Sequence, residues 1–206
     1  MRLGNCRWLI KRPLKGTWYR AIQPQFWPTL LATSHTATIP GRFNAGNSTR
    51  PGFEVFYLAE DQLVALFEVR ASLGCPLPGG AYIPNPKGAW TVVNVDIQLN
   101  RVAHLTRASQ RKLIETTVEE LTGDWRGYAF RDPNFAVRPP NRITAPTQLL
   151  GAAMFAAKNL EGFTTYSATW PTRRNRIVFP EKLQTGSYIR FHDPATLQTH
   201  TISAGP

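Results

Sequence analysis

The pattern of hydrophobic and polar residues predicts a chain built mainly from short β-strands. Residues 53–58, 90–97, 163–167 and 176–179 are short segments rich in β-branched and aromatic residues. Such segments are typical of β-strands. We therefore expect these four segments to supply much of the core.

Three other segments have helical periodicity, over about residues 61–69, 109–121 and 147–160. In the first of them, Asp61 is placed to cap the helix N-terminus. Glu68 falls near the C-terminus of the same helix, where the helix dipole is unfavourable for an acid. A carboxylate is therefore unexpected at that position.

The order of these elements predicts the fold class. Strands with a few helices between them, and without regular strand–helix alternation, favour an α+β fold over a doubly wound sheet. The chain has 206 residues, 42% of them hydrophobic, which suits one domain with a sizeable core. We expect a single domain over residues 1–206 with mixed β-sheets and a few flanking helices. The sequence contains neither a Gly-x-Gly-x-x-Gly run nor a P-loop, so a nucleotide would be held in another way.

Net charge narrows the class of partner. The formal charge of +11 favours anionic partners, which include nucleic acid, nucleotides and acidic proteins. The basic residues are scattered, and no stretch gathers several of them on one helix face as a DNA-reading helix requires. Nucleic acid is therefore not the favoured partner.

Composition also bears on compartment and metal binding. No segment is apolar enough to be a secretory signal or to span a bilayer. The two cysteines, Cys6 and Cys75, and the four histidines have no metal-ligand spacing. We expect a cytoplasmic protein without a membrane contact or a metal site.

Three blocks of sequence contain the residues expected to carry chemistry. The first has Arg20 at the end of a Trp-Tyr-Arg run. The second has Arg42 in a Gly-Arg-Phe-Asn run, then Tyr57 in a Tyr-Leu-Ala strand, and then Glu68 eleven residues after that tyrosine. The third has Ser167 in a Tyr-Ser-Ala run. Each motif is weak alone, but this order and spacing are specific in combination.

Together these blocks resemble the RES domain, a family of bacterial toxins named for its Arg, Glu and Ser. The resemblance covers about residues 15–185 and leaves short extensions at both ends. It implies a fold related to the ADP-ribosyltransferases. It further implies that NAD⁺ is the substrate, without a prosthetic group, and that its nicotinamide–ribose bond is broken with phosphate or water as acceptor. An antitoxin or immunity protein that blocks the pocket is the partner that this resemblance implies.

The resemblance also assigns roles to residues, and each role suits the chemistry of its side chain. Arg42 and Arg20 would bind the pyrophosphate, because a guanidinium offers a fixed bidentate charge. Tyr57 would stack on the cationic nicotinamide ring. Glu68 would orient the ribose and stabilise an oxocarbenium-like transition state. Ser167 would hydrogen-bond the nicotinamide, the ribose or the incoming phosphate, and the sequence does not decide among them. No Ser-His-Asp arrangement surrounds it that would make it a nucleophile.

Other interpretations remain open. Taken one at a time, Arg42 fits a surface turn, Tyr57 a core position, Glu68 a solvated helix end and Ser167 an ordinary strand residue. An ADP-ribosyltransferase that modifies a protein or small molecule is the nearest alternative function, and a basic nucleic-acid-binding module is another. Residues 124–141, rich in Arg and Pro, are interpreted either as a loop over the site or as a partner contact.

Overall fold

The computed structural model describes residues 1–69, 75–76, 82–83, 89–128 and 144–205. The strands in these ranges are β1 (Lys11–Ile22), β2 (Phe56–Ala59), β3 (Cys75–Pro76), β4 (Tyr82–Ile83), β5 (Thr91–His104), β6 (Gly162–Tyr166), β7 (Arg174–Val178), β8 (Tyr188–His192) and β9 (Thr199–Ser203). The α-helices are α1 (Ser34–Thr38), α2 (Gln62–Glu68), α3 (Ala108–Leu113), α4 (Val118–Thr122) and α5 (Pro146–Ala156). Short 3₁₀ helices cover Leu3–Trp8, Pro24–Thr29 and Pro180–Lys182.

Seven of the strands form one mixed sheet in the order β1-β2-β7-β6-β5-β8-β9. Strands β5 and β6 are parallel, and the other neighbours are antiparallel. Strand β1 also pairs with β5, along its whole length from Lys11↔Ala103 to Ile22↔Thr91. The pairings therefore close a ring through β1, β2, β7, β6 and β5. The prediction of an α+β fold with mixed strands and a few helices is confirmed.

Two apolar clusters lie on opposite faces of the ring strands. Neighbouring residues of β7 show the division, because Ile177 belongs to one cluster and Val178 to the other. We call the cluster that contains Trp18, Val102 and Val178 the inner cluster, because it fills the space between β1, β5 and the β2–β7 pair. The other cluster packs α5 against the outer side of the same strands. Alternation along a strand is what gives each strand two buried faces.

Several elements differ from their sequence-based predictions. The single helix expected over residues 109–121 is wrong, because α3 ends at Leu113 and Glu115 has a φ of +50°, which an α-helix cannot accommodate. Strand β1 is not predicted by the pattern because Pro13 and Gly16 interrupt it. The expected cap of α2 is confirmed, since an Asp61 carboxylate oxygen accepts from the backbone N–H of Val64 at 2.9 Å. Within the described ranges, no helix has the length and apolar character needed to cross a membrane.

Candidate active site

A pocket of about 360 Å³ lies where β1 and β2 diverge. The two strands pair only at Tyr19↔Ala59, and their separation leaves a cleft between them. The walls come from residues 19–21 of β1, 40–42 after α1, 57–59 of β2, 68–69 at the end of α2 and 124–126 after α4. This volume is within the range of pockets that bind small molecules and cofactors.

Four of the five residues singled out from the sequence line this pocket: Arg20, Arg42, Tyr57 and Glu68. The fifth, Ser167, is fully buried behind Glu68. Residues that are far apart in the chain are thus brought to one place, although their chemical roles stay predictions.

The Glu68 carboxylate is held by a set of donors from the β6–β7 connection and β7. Its Oε1 accepts from Ser167 Oγ at 2.5 Å, from Asn175 Nδ2 at 2.8 Å and from Ala168 N at 3.1 Å, with Thr169 Oγ1 at 3.4 Å. No hydrogen bond to Oε2 occurs among the residues that the structure describes. The described residues therefore fix the carboxylate through one oxygen, Oε1.

The surroundings of Ser167 indicate what its hydroxyl does. Ser167 Oγ donates to Glu68 and accepts from Trp170 N at 3.0 Å, and the residue is 0% exposed. The hydroxyl is therefore engaged by the protein itself, through the carboxylate and the backbone of the β6–β7 connection. The structure thus places Ser167 one layer behind the pocket wall.

Tyr57 links the pocket to the Gly-Arg-Phe-Asn run. Its hydroxyl accepts from the Phe43 backbone N–H at 3.3 Å. A Cβ atom at Gly41 would lie 2.8 Å from the Tyr57 hydroxyl oxygen, so a side chain at position 41 would displace the ring. Burial raises the pKa of Tyr57 to about 12, and the phenol is therefore protonated at neutral pH.

The run that contains Arg42 is clamped from two sides. Asn44 donates to the carbonyl oxygens of Thr36 and Phe53 and accepts from Gly46 N at 2.8 Å. Gln148 of α5 donates to the Gly41 carbonyl at 3.0 Å. The side chains of Asn44 and Gln148 therefore hold the backbone that carries the arginine.

The two arginines of the pocket differ in what they contact. Arg42 Nη1 donates to the carbonyl oxygens of Leu121 at 3.0 Å and Gly123 at 3.4 Å, so part of its guanidinium is bound to the end of α4. Arg20 Nη1 is buried without a hydrogen-bond partner in the described part of the chain, and its guanidinium carbon lies 4.3 Å from the centre of the Phe56 ring.

Both guanidinium groups are poorly solvated. Burial lowers the pKa of Arg20 to about 10 and also lowers that of Arg42, an effect that the negative charge of Glu68 opposes. Arg20 stays charged at neutral pH, and a buried cation with an unused N–H is a favourable site for an anion. The pocket is thus suited to an anionic ligand.

Some pocket residues were not identified from the sequence. His35, to which the sequence assigns no role, lines the pocket, and its pKa is lowered by burial and then by the charge of Arg20. Asn175 donates directly to Glu68. Residues 124–126, part of the unplaced Arg/Pro-rich segment, form one wall, while residues 129–141 lie outside the described residues. An isolated His or Asn gives no local signal, because its function depends on contacts across the fold.

Comparisons with known proteins bear on the family and the fold. A family model described as the RES domain matches residues 17–198. Among solved structures, a chain of the crystal structure of the M. tuberculosis MbcT-MbcA toxin-antitoxin complex is similar, with a TM-score of 0.62 and 15% sequence identity over 98% of this chain and 91% of that chain. At this identity the likeness concerns the fold alone. No curated protein matches the sequence.

Proposed function

The chain belongs to the RES domain family, and we propose that it is a toxin that breaks the nicotinamide–ribose bond of NAD⁺. The observation that carries this proposal is the Glu68 carboxylate, fixed through Oε1 by Ser167 and Asn175, in a pocket that also contains the buried, unpartnered Arg20. A cation for a pyrophosphate and a carboxylate for a sugar thus line one pocket.

Binding of NAD⁺ would use the positive charges of the pocket. The pyrophosphate would accept from Arg20, whose Nη1 has no partner among the described residues, and the loss of hydration of that cation would then be compensated. Arg42 would contribute its charge while it stays bound to Leu121. The Tyr57 ring would face the cationic nicotinamide.

Bond cleavage would depend on Glu68. When the bond between ribose C1′ and the ring nitrogen breaks, the electron pair goes to the nitrogen, neutral nicotinamide leaves, and positive charge develops on the ribose. A fixed carboxylate stabilises that charge more than it stabilises the ground state. An oxygen of phosphate or water then forms the new bond at C1′ and releases its proton to solvent or to a carboxylate.

The proposal extends to a partner and a location. The similarity to a chain from a toxin-antitoxin complex supports an antitoxin that covers the pocket. NAD⁺ is a metabolite of the cytoplasm, and we propose that the toxin acts there.

The direct test is to incubate the purified protein with NAD⁺, with and without phosphate, and to follow nicotinamide by chromatography. We expect release by the wild-type protein, with ADP-ribose formed in water and its 1″-phosphate ester formed in phosphate. If the NAD⁺ carries a radiolabel in its ADP-ribose part, label that ends on a macromolecule would instead support ADP-ribosyl transfer. Folded protein that releases no nicotinamide under either condition would contradict the proposal.

Ser167→Ala tests whether the serine acts through Glu68. Loss of the 2.5 Å bond to Glu68 leaves Asn175 and Ala168 to hold the carboxylate, so we expect kcat to fall about tenfold with KM within about twofold of wild type. Thr169→Ala, which removes the 3.4 Å contact to the same oxygen, should have a smaller effect. A large rise in KM at unchanged kcat would show instead that Ser167 contacts the substrate.

A further inference from the structure

A second group of arginines lies outside the pocket and is centred on Arg176. This residue of β7 is 4% exposed, and its Nε and Nη1 have no hydrogen-bond partner within the described part of the chain. Its guanidinium carbon lies 4.2 Å from the centre of the Trp18 ring, which covers one face of the group. Burial lowers the pKa of Arg176 to about 9, so the side chain is charged at neutral pH, and no carboxylate of the described residues lies at hydrogen-bond distance from it.

The register of the β1–β5 pair places Arg12 and Trp18 on the same face of strand β1. Arg12 is directly opposite Val102 in the antiparallel β1–β5 pair, and residues opposite each other share a face. Val102 and Trp18 both belong to the inner cluster. Leu14 and Gly16 stand between Arg12 and Trp18 on that face, and Leu14 packs against the inner cluster. Gly16 has no side chain, and the position of its missing Cβ contacts only Trp18 Nε1, at 3.7 Å, so the edge of the Trp18 indole is uncovered there. The exposed Arg12 lies at the outer end of the same row.

A row of polar residues lies on the same face of the neighbouring strands. His104, Thr164 and Arg176 are register neighbours across β5, β6 and β7, and Thr164 Oγ1 lies 3.3 Å from His104 Nδ1. Burial and neighbouring positive charges lower the pKa of His104 to about 4. The neighbouring charges belong to Arg176, Arg107, Arg12 and Arg174.

Few carboxylates of the described residues balance the positive charge of these arginines. Glu60 is the carboxylate whose charge acts on Arg176, and it is shared with Arg173 at 3.8 Å and Arg174 at 3.5 Å. The charges of four guanidinium groups therefore act on one neutral histidine, and the acid that acts on Arg176 is divided with Arg173 and Arg174. Such a concentration of like charge is unfavourable in the free protein and favourable for an anion.

We propose that Arg12, Arg107, Arg174 and Arg176 form a second anion site, which binds a small, multiply charged phosphate compound such as inorganic pyrophosphate. The buried N–H groups of Arg176 would donate to the anion, and the exposed arginines would close around it. None of these four arginines lines the pocket that contains Glu68. The site is thus separate from the proposed NAD⁺ site and does not depend on it.

The test is to titrate inorganic pyrophosphate by calorimetry and to follow thermal unfolding, with wild type, Arg12→Gln and Arg176→Gln. At a concentration well above the dissociation constant we expect Tm of the wild type to rise by about 5 °C. Both variants should bind at least about tenfold more weakly. The matched control is Lys15→Gln, which removes the same charge from an exposed position of β1 and should bind as wild type does.

Arg20→Gln separates this site from the pocket, which has arginines of its own. Pyrophosphate binding that survives in Arg20→Gln but is lost in Arg12→Gln and Arg176→Gln would support the proposal. The proposal is overturned if wild type does not bind, if binding is lost only in Arg20→Gln, or if Lys15→Gln weakens it equally. Should Arg176→Gln fail to fold, the exposed Arg12 decides the matter, and neither readout requires NAD⁺ consumption.

Discussion

Glu68→Gln is expected to slow nicotinamide release from NAD⁺ by about 10²- to 10³-fold. The amide keeps the size of the side chain, and its oxygen can still accept from Ser167, Ala168 and Asn175. What disappears is the negative charge that would face the developing cation on the ribose. Removal of one such electrostatic contact from an active site costs roughly 3–4 kcal/mol of transition-state stabilisation. Steady-state kinetics at saturating NAD⁺ measures the effect on kcat.

The matched control for this change is Glu119→Gln, which makes the same substitution at an exposed position of α4. Glu119→Gln should release nicotinamide at the wild-type rate. Circular dichroism and Tm must show that Glu68→Gln is folded. Activity within threefold of wild type in folded Glu68→Gln would contradict the proposed role of the carboxylate.

Gly151→Ala is expected to destabilise the protein by at least about 3 kcal/mol, although the same change in an ordinary helix interior stabilises by about 1 kcal/mol. A Cβ at Gly151 would lie 1.8 Å from the Phe43 carbonyl oxygen and 2.6 Å from its carbon. These are backbone atoms of the run that Asn44 and Gln148 clamp, so they cannot move aside without breaking those contacts. The glycine is what allows α5 to lie against the Gly-Arg-Phe-Asn run.

Urea or thermal unfolding measures this effect. Ala152→Gly, at the next and exposed position of α5, should cost only about 1 kcal/mol because it removes helix propensity without a steric conflict. Because Phe43 follows Arg42, any Gly151→Ala protein that folds should also have a displaced Arg42. A Tm within about 2 °C of wild type would show that the close approach of α5 to Phe43 is not required.

Local sequence patterns were sufficient for some elements and not for others. Helix α2 was predictable from its apolar spacing and from Asp61, which caps it as expected. An acid at the disfavoured C-terminal end of that helix was unexpected, and the structure shows the Glu68 carboxylate bound there by Ser167 and Asn175. Strand β1 was missed because Pro13 and Gly16 break its pattern, yet its pairing with β5 over eleven residue pairs overrides weak local propensity.

The resemblance to the RES domain is confirmed, and it identified residues that the fold brings together. It could not give their contacts, because these contacts join distant parts of the chain. Ser167 binds Glu68 across 99 positions and Arg42 binds Leu121 across 79. The structure therefore adds a positioning partner for Glu68 and a structural bond for Arg42, whereas the roles of these residues toward NAD⁺ stay predictions.

The single residue pair that joins β1 to β2 has a mechanical consequence. Eleven pairs fasten β1 to β5, but only Tyr19↔Ala59 fastens it to β2, and the pocket lies beside that joint. Parting β1 from β2 would disrupt one rung of backbone pairing, whereas parting it from β5 would disrupt eleven. Of the two sides on which β1 is paired, the one beside the pocket is therefore the weaker in backbone pairing.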